Sequence, residues 1–325
     1  MEKQSRMGLG CMGMSEFYGA TDDAQSMETL ETAFANGVTL FDTADSYGAG
    51  HNEELLGRFL RGKRERVRIA TKFGLVRAKG SYERRVDNSP AYIREACEAS
   101  LARLGVDRID LYYMHRLNLE QTPLEDSIGA LGELVRQGKI GAIGLCEVSP
   151  ATLRRAAAIH PIAAVQSEYS LWTRDPEDGV LQACADLGAM FCAYSPLGRG
   201  FLTGKVAELQ EGDFRKLSPR FADGNLQTNQ RIADMVQRIA HEIGRTRACT
   251  PAQLALAWLL AQGDAHGCEV VPIPGTKRSA YLLENLGALR VQLTGAELEG
   301  INAALPAGMG AGARYPQEGM KGVNA

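Results

Sequence analysis

Eight short apolar runs alternate with helical patterns along nearly the whole chain, and this alternation is the strongest constraint on the fold. Runs without a polar face are typical of parallel strands that are buried on both sides. Parallel strands also need long crossover connections, which the helical patterns provide. The predicted strands are 7–10, 38–42, 67–72, 110–115, 140–145, 163–167, 189–194 and 268–272.

The segment between Ser89 and Gly105 illustrates the helical patterns. Ser89 followed by Pro90 is typical of a helix start, and Gly105 is typical of a helix end. Apolar residues recur between them at a spacing of three to four, which predicts one buried face: Ile93, Cys97, Leu101 and Leu104. Similar stripes in 123–137 and 232–243 predict two more helices.

Eight strand–helix units in 325 residues predict an α/β fold of the (β/α)8, or TIM, barrel type, with residues 1–325 as a single domain. The alternative is a doubly wound sheet, which usually carries Gly-x-Gly-x-x-Gly between its first strand and a helix. Residues 8–13 spell that pattern, but the residues after it do not open a helix. The motif therefore gives the doubly wound sheet only weak support.

Two long loops interrupt the alternation. Loop 195–227 is rich in glycine, proline and charged residues, and loop 73–88 leaves the third predicted strand. Loops of this length are often lids or binding loops, although 195–227 could instead be a disordered surface insertion.

Composition excludes several function classes. A net charge of −3 and a pI near 6.0 give no sign of binding to nucleic acid or to an anionic membrane. The seven cysteines are odd in number and form no Cys-x-x-Cys, so we expect free thiols and no metal site. No run approaches the ~20 apolar residues of a membrane span, and the first residues show no signal-peptide pattern. We expect a soluble, cytoplasmic protein.

Four polar residues stand at or just after the ends of predicted strands. Asp42, Lys72 and His115 each close a strand, and Tyr47 follows Asp42 in the next loop. In parallel α/β proteins the carboxyl ends of the strands gather on one face, where active sites are built. An acid, a phenol, an amine and an imidazole on one face indicate proton transfer, although each alone could be structural.

Five segments, in the same order along the chain, resemble motifs of the aldo-keto reductase family, and the opening residues 8–15 and closing residues 313–316 and 319–321 further resemble its bacterial and plant branch with short loops. The five segments are 41–48 (Phe-Asp-Thr-Ala-Asp-Ser-Tyr-Gly), 70–74 (Ala-Thr-Lys-Phe-Gly), 104–116 (from Leu-Gly-Val-Asp to Met-His-Arg), 194–200 (Tyr-Ser-Pro-Leu-Gly-Arg-Gly) and 273–278 (Ile-Pro-Gly-Thr-Lys-Arg). The resemblance implies a barrel that reduces aldehydes or ketones with NADPH and without a metal.

The resemblance also assigns a catalytic role to Asp42, Tyr47, Lys72 and His115. Tyr47 is the expected proton donor, and the Lys72 ammonium should lower the phenol's pKa from about 10. Asp42 should keep Lys72 charged and fixed in place. His115 should form a hydrogen bond with the carbonyl oxygen and orient the substrate.

The same resemblance implies the NADPH site. Thr276, Lys277 and Arg278 should hold the 2′-phosphate, Tyr194 should stack on the nicotinamide, and loop 195–227 should cover the cofactor. The residues expected to contact it are Gly10, Met12, Asp42, Cys146, Gln166, Tyr194, Ser195, Leu197, Arg199, Gly200, Gly275, Thr276, Lys277, Arg278, Tyr281, Glu284 and Asn285.

The chain departs from the family pattern at three places. Cys146 stands where serine is common, and Tyr281 stands where many relatives have glutamine. A thiol forms weaker hydrogen bonds than a hydroxyl, so Gln166 should take more of the carboxamide anchoring. The chain also enters its first strand almost directly, without the hairpin that usually covers the barrel floor.

Apolar and aromatic residues of the loops predict a pocket for aromatic or aliphatic carbonyl compounds. The expected pocket residues are Phe17, Tyr18, Phe73 and Trp172. For Arg116, next to His115, the sequence favours a salt bridge inside the barrel, and an acidic group of the substrate is the alternative partner.

Two other functions remain open at this point. Some relatives are regulatory subunits that bind NADPH and turn over slowly. A barrel lyase or isomerase could instead use Lys72 to form a Schiff base. The sequence assigns neither a physiological substrate nor an oligomeric state.

Overall fold

The computed structural model describes residues 5–78, 83–206, 209, 213–222 and 224–324, and it is organised around eight parallel strands. In chain order the strands are β1 (Leu9–Gly10), β2 (Leu40–Asp42), β3 (Arg68–Phe73), β4 (Leu75–Val76), β5 (Arg85–Val86), β6 (Leu111–Met114), β7 (Ile143–Cys146), β8 (Ile162–Glu168), β9 (Met190–Tyr194) and β10 (Val270–Pro272). The parallel sheet runs β1-β2-β3-β6-β7-β8-β9-β10, and β4 pairs with β5 in a separate hairpin.

The first and last strands of this sheet lie side by side, so the sheet closes into a barrel. The amide of Gly8 donates to the Pro272 carbonyl at 3.0 Å, and Gly10 forms a parallel bridge with Gly275. The backbones come so close that a Cβ on Gly10 would lie 2.9 Å from the Ile273 carbonyl oxygen. The predicted barrel is confirmed, and the doubly wound sheet is excluded.

Helices form the outer layer. They are α1 (Asp23–Ala35), α2 (His51–Leu60), α3 (Pro90–Leu104), α4 (Leu124–Arg136), α5 (Pro150–Ala157), α6 (Val180–Leu187), α7 (Asn225–Gly244), α8 (Pro251–His266), α9 (Ser279–Leu286), α10 (Gly295–Ala304) and α11 (Gln317–Met320). Helix α3 begins and ends as predicted, because Ser89 caps its start and Gly105 adopts a left-handed φ of 63°. Within the described ranges, no helix is long and apolar enough to cross a membrane.

The core has two layers. Outward-facing strand residues pack under the helices, while a second set fills the barrel: Leu40, Ala70, Leu111, Tyr113, Cys146, Ala164, Cys192, Val271 and Ile273. Tyr113 is paired with Gly144 in the register of β6 and β7, and its ring occupies the space beside this glycine. The absence of a side chain at Gly144 therefore makes room for a tyrosine inside the barrel.

The barrel floor is closed by residues of the strands themselves. Leu40 and Leu111 are buried there, whereas Arg68, paired with Leu40 in the β2–β3 register, and Glu269 are exposed. Arg68 is the first residue of β3, and Glu269 directly precedes β10, so charged side chains border the apolar interior at this end of the barrel. Between Ser5 and β1 the described chain contains no hairpin, in agreement with the sequence.

The two long loops are partly structured. Loop 73–88 contains the β4–β5 hairpin, which the sequence did not predict, and its residues 79–82 lie outside the described residues. Predicted loop 195–227 contains three short 3₁₀ helices, Phe201–Thr203, Phe214–Leu217 and Pro219–Phe221, and runs into the first residues of α7. Its residues 207, 208, 210–212 and 223 also lie outside the described part.

We predict that Gly144→Ala destabilises the protein by about 1–3 kcal/mol, because overpacking a filled core forces neighbouring side chains to shift. The added Cβ would lie 2.3 Å from Cδ1 of Tyr113. Denaturant unfolding measures the change. The matched control is Gly129→Ala in α4, where no atom lies within 4 Å of the new Cβ. Equal stability of the two variants would contradict this packing.

Candidate active site

The Lys72 ammonium lies at the centre of a polar cluster at the carboxyl end of the barrel. Its Nζ donates to the Asp42 carboxylate, to the Thr43 carbonyl at 2.6 Å and to the Tyr47 hydroxyl at 3.2 Å. Lys72 is 0% exposed and Asp42 is 3% exposed, whereas Tyr47 is partly open to solvent. The structure thus brings three of the four predicted catalytic residues into direct contact.

Strand and turn geometry explain these positions. Neighbouring residues of β3 point to opposite faces, so Lys72 faces the interior beside Tyr113 while Phe73 faces the helices. Tyr47 begins a turn in which Gly48 has a left-handed φ of 59°, and this turn leads directly into α2. The short connection fixes the phenol above Lys72.

Phe73 is not a pocket residue, contrary to the sequence-based expectation. It is 0% exposed, and its ring stacks on Tyr112 with centroids 4.8 Å apart. The physical reason is the strand alternation, since Lys72 takes the inward position and leaves Phe73 the outward one.

His115, the fourth predicted catalytic residue, faces Tyr47. The two rings meet edge-on with centroids 6.0 Å apart, and the His115 amide is fixed by the Phe73 carbonyl at 2.8 Å. Its buried Nδ1 has no hydrogen-bond partner among the described residues. Burial, followed by the charges of Lys72 and Arg116, holds the pKa of His115 well below its usual value. The imidazole is therefore neutral near pH 7.

The pKa of Tyr47 differs from the value below about 10 that the sequence led us to expect. Burial alone lowers the pKa of Lys72, but Asp42 and Tyr47 more than offset this and raise it above its ordinary value. Burial raises the pKa of Tyr47 to about 12, although Lys72 acts in the opposite direction. The expected lowering by Lys72 is present, but desolvation outweighs it. The phenol thus keeps its proton near neutral pH.

Gln166 and Cys146 line the same end of the barrel. Gln166 Nε2 donates to Asp42 Oδ2 at 2.8 Å, so this amide supports the carboxylate that holds Lys72. Cys146 is 2% exposed, and burial raises the pKa of its thiol to about 12. Cys146 is therefore a neutral thiol in this site.

Asn52 also holds the site together. The sequence did not indicate this role, because a single asparagine in a helical pattern has no distinguishing feature. It is fully buried in α2 and accepts a hydrogen bond from Thr43 Oγ1 at 2.6 Å. Its Nδ2 donates to the Cys11 carbonyl and to Ser15 Oγ. Asn52 therefore ties the loop after β1 to the residue that accepts from Lys72.

The carboxyl-terminal segment, residues 314–324, crosses the mouth of the barrel. Arg314 Nη1 binds both carboxylate oxygens of Glu147, at 2.9 and 3.1 Å, and its Nη2 binds Asp175. The hydroxyls of Tyr194 and Tyr315 are 2.8 Å apart. Only Tyr194 was a predicted cofactor contact, and the structure places this neighbouring segment against it.

A cluster of positive residues surrounds Glu168 at the end of β8. Arg220 Nη1 lies 2.8 Å and Arg199 Nη2 lies 3.6 Å from its carboxylate. Burial raises the pKa of Glu168, but nearby arginines lower it below its usual range. Within the described chain, Arg199 Nη1 is buried without a hydrogen-bond partner. This unused donor fits an anion.

The backbone beside Arg199 has an unusual conformation. Ser195, Gly198, Arg199 and Gly200 have left-handed φ values of 49°, 55°, 59° and 88°. Left-handed residues can turn backbone N–H groups into a concave surface that binds anions. Leu197 contributes a carbonyl that accepts from the Gly200 amide at 3.0 Å.

A second positive region lies around the start of α9. Lys277 Nζ donates to the carbonyls of Tyr18 and Ala20, so it also fixes the loop after β1. Arg278 is exposed, and its guanidinium lies 5.6 Å from the Tyr281 ring centroid. Thr276 Oγ1 accepts from the Arg278 amide at 3.1 Å.

The remaining predicted cofactor residues border this region. Glu284 pairs with Lys205 of loop 195–227 at 3.2 Å, which joins the loop to α9. Asn285 is 4% exposed. Gly10 bridges Gly275, as described above, and Met12 begins the short 3₁₀ helix Met12–Met14.

The predicted pocket residues of the loops have different environments. Phe17 has a left-handed φ of 75°, and the Arg77 guanidinium carbon lies 5.6 Å from the Phe17 ring centroid. The Arg215 guanidinium carbon lies 6.0 Å from the Tyr18 ring centroid. Trp172 is 5% exposed and packs against Phe201, with ring centroids 4.4 Å apart. Trp172 therefore supports loop 195–227 and does not form an open wall of the pocket. In the described residues, no group of three or more side chains has the composition of a metal site.

Comparison with known proteins places the chain in a family. The sequence model of the aldo/keto reductase family matches residues 6–306, and the chain belongs to this family. It is 45% identical over 315 residues to a probable aldo-keto reductase 1 of Glycine max, covering 96% of this chain and 88% of the relative. It is 44% identical over 318 residues to the aldo-keto reductase yakc [NADP(+)] of Schizosaccharomyces pombe, covering 95% and 91%.

Solved structures of the family have the same fold. A glycerol dehydrogenase of Gluconobacter oxydans has a TM-score of 0.83 at 29% identity, covering 94% of this chain and 93% of that one. An aldo/keto reductase of Klebsiella pneumoniae in complex with NADP and acetate has a TM-score of 0.73 at 27% identity, covering 96% and 95%.

The neutral imidazole of His115, with its buried Nδ1, predicts that stability falls as the pH drops below about 6.5. In this range the unfolded chain binds a proton at His115 and the folded chain does not. We therefore measure the free energy of unfolding in urea between about pH 5 and pH 7. Its decrease towards low pH should be less steep for His115→Gln than for the wild type, by up to about 1.4 kcal/mol per pH unit. His241→Gln, at an exposed position of α7, is the control. Identical slopes in both variants would contradict this prediction.

Proposed function

We propose that this protein reduces aldehyde and ketone carbonyls to alcohols with NADPH. The contact between Lys72 Nζ and the Tyr47 hydroxyl at 3.2 Å carries the proposal, because it couples a proton donor to a cation that Asp42 fixes. Membership of the aldo/keto reductase family supports this reaction class. The NADP named for relatives in Schizosaccharomyces pombe and Klebsiella pneumoniae supports the cofactor.

The side chains of the site have separate tasks in this reaction. When bound, the cofactor supplies a hydride to the carbonyl carbon. Tyr47, whose pKa of about 12 keeps the phenol protonated, donates a proton to the carbonyl oxygen. Lys72 stabilises the phenolate that remains, and Asp42 holds Lys72 in place. The neutral His115 donates a hydrogen bond to the same oxygen and orients the substrate.

Two regions of the chain suit the charged parts of NADPH. The left-handed backbone near Arg199 and its unused Nη1 suit the pyrophosphate. Arg278, exposed beside Thr276 at the start of α9, suits the 2′-phosphate, which a guanidinium can bind through two hydrogen bonds. Lys277 adds positive charge there and links this region to the loop after β1.

Loop 195–227 completes the proposed cofactor site. The ion pair between Lys205 and Glu284 draws the loop towards α9 and supports its role as a cover. Glu284 and Asn285 are the proposed contacts of the adenine. Tyr194, at the end of β9, is the proposed stacking partner of the nicotinamide.

The alternative functions receive less support. Schiff-base formation needs a neutral amine, whereas the raised pKa of Lys72 favours the ammonium. A regulatory subunit with slow turnover would not need a complete proton-transfer set. All seven cysteines are free, which supports a reducing compartment such as the cytoplasm.

We predict that Tyr47→Phe abolishes turnover while NADPH still binds, because the variant lacks only the transferable proton. Oxidation of NADPH with an aldehyde such as 4-nitrobenzaldehyde measures turnover, and quenching of protein fluorescence measures cofactor binding. Lys72→Met should lower kcat by about 10²-fold or more. Tyr92→Phe, on α3, is the matched control. Near-normal turnover of Tyr47→Phe would refute the assignment of the proton donor.

We predict that Arg278→Ala raises KM for NADPH about tenfold or more, because one charge-assisted pair with the 2′-phosphate is lost. KM for NADH, which lacks this phosphate, should change little. Arg290→Ala, an exposed arginine beyond the end of α9, is the control. An equal change for both cofactors would argue against a 2′-phosphate site at Arg278.

A further inference from the structure

Arg116, which directly follows the catalytic His115, is a buried cation that has no carboxylate partner among the described residues. It is 6% exposed, and its Nη1 donates to the His115 carbonyl at 2.8 Å. Its Nε is buried and has no hydrogen-bond partner in the part of the chain that the structure describes. In the same part of the chain, no carboxylate oxygen lies within 4.0 Å of this guanidinium. The salt bridge that the sequence favoured for Arg116 is therefore not formed there.

A comparison with Arg314 shows how unusual this is. Arg314 is also 6% exposed, but its guanidinium binds the carboxylates of Glu147 and Asp175. Burying an unpaired charge is costly, so a buried arginine normally has an anionic partner. Glu147 is not free to serve Arg116, since both of its oxygens accept from Arg314 and one accepts the Glu168 amide as well.

Arg116 lies at the substrate side of the site. Its Nη1 is anchored to the His115 carbonyl, and Gly322 of the carboxyl-terminal segment packs on its aliphatic part, where an added Cβ would lie 3.5 Å from Arg116 Cβ. The same segment reaches Tyr194 through the hydroxyl contact between Tyr194 and Tyr315 at 2.8 Å. Arg116 therefore lies beside His115 and against the segment that borders the mouth of the barrel.

A second arginine borders the same segment. Arg84, which is exposed, leads into β5, and its pKa is lowered by partial desolvation followed by the charge of Arg116. The carboxyl-terminal segment packs against both arginines. A Cβ on Gly319 would lie 3.4 Å from Arg84 Nη2, and one on Gly322 would lie 3.5 Å from Arg116 Cβ. Both arginines thus border the same short segment, and an anion bound there would offset the repulsion between their charges.

We propose that Arg116 and Arg84 form a subsite for a carboxylate of the carbonyl substrate. The inference rests on the proposed function and narrows it, since it makes carbonyl compounds that carry an acidic group the preferred substrates. A guanidinium matches the planar carboxylate and binds it through paired hydrogen bonds. Arg116 places this charge beside His115, the residue that orients the carbonyl.

The test uses two aldehydes of similar shape. In 4-carboxybenzaldehyde a planar carboxylate replaces the planar, uncharged nitro group of 4-nitrobenzaldehyde. We measure the ratio of their kcat/KM values, carboxylate over nitro, for the wild type and two variants. Arg116→Met should lower this ratio about tenfold or more, chiefly by raising KM for the carboxylate. Arg84→Met should lower it in the same direction, about threefold or more, because Arg84 is more exposed.

A control variant tests whether the effect belongs to Arg116 and Arg84. Arg85→Met is the matched control, because Arg85 is exposed next to Arg84 and pairs with Asp87 at 2.6 Å. It should leave the ratio unchanged. If Arg116→Met lowers kcat/KM equally for both aldehydes, Arg116 only supports His115, and the subsite is overturned. If Arg116→Met does not fold, an unchanged ratio in Arg84→Met overturns it.

Two further outcomes separate this inference from the others. A raised KM for NADPH in Arg116→Met, with an unchanged aldehyde ratio, would assign the arginine to a phosphate of the cofactor and overturn the subsite. Wild-type protein that oxidises NADPH with neither aldehyde would contradict the proposed function itself. Reduction of 4-nitrobenzaldehyde with no response of the ratio in either variant would contradict the subsite alone.

Discussion

The buried ion pair between Lys72 and Asp42 is the interaction on which the rest of the site depends. Lys72 contacts groups from β2, from the residue after it and from the Tyr47 turn, so one ammonium joins three parts of the backbone. A buried pair of this kind need not add net stability, yet removing one partner typically costs about 3–5 kcal/mol because it leaves an unpaired charge. The pair therefore fixes the geometry that Tyr47 needs, and Gln166 strengthens it from the far side of the barrel.

The sequence predicted the parts of the structure that follow from local pattern. All eight barrel strands lie where apolar runs were recognised, and Asp42, Lys72 and His115 share one face because parallel strands end there. The Phe73 error was avoidable, since strand alternation places the neighbour of an inward-facing Lys72 outward. The pKa of Tyr47 was not readable, because it depends on a balance between desolvation and one nearby charge that only coordinates define.

Long-range pairings were beyond local pattern. Arg314 and Glu147 are 167 residues apart, and Tyr194 and Tyr315 are 121 residues apart, yet both pairs meet at the mouth of the barrel. Nothing in the nearby sequence of these residues marks their partners. The β4–β5 hairpin was missed for a related reason, because each of its strands has only two residues and no alternation to recognise. The pairings that shape this side of the site thus depend on the folded chain, because local sequence does not specify which distant residues meet.

The filled interior of the barrel limits the side from which protons and water can reach the site. Tyr113 and Cys192 are each 1% exposed beneath Lys72, and the tyrosine ring takes the space that Gly144 leaves, so solvent does not reach the ammonium from below. Tyr47 and His115, in contrast, are partly open to solvent above it. In the proposed mechanism, the Tyr47 phenolate is therefore reprotonated from the upper side alone. Departure of the alcohol and re-entry of water then become linked events, since both use the same opening.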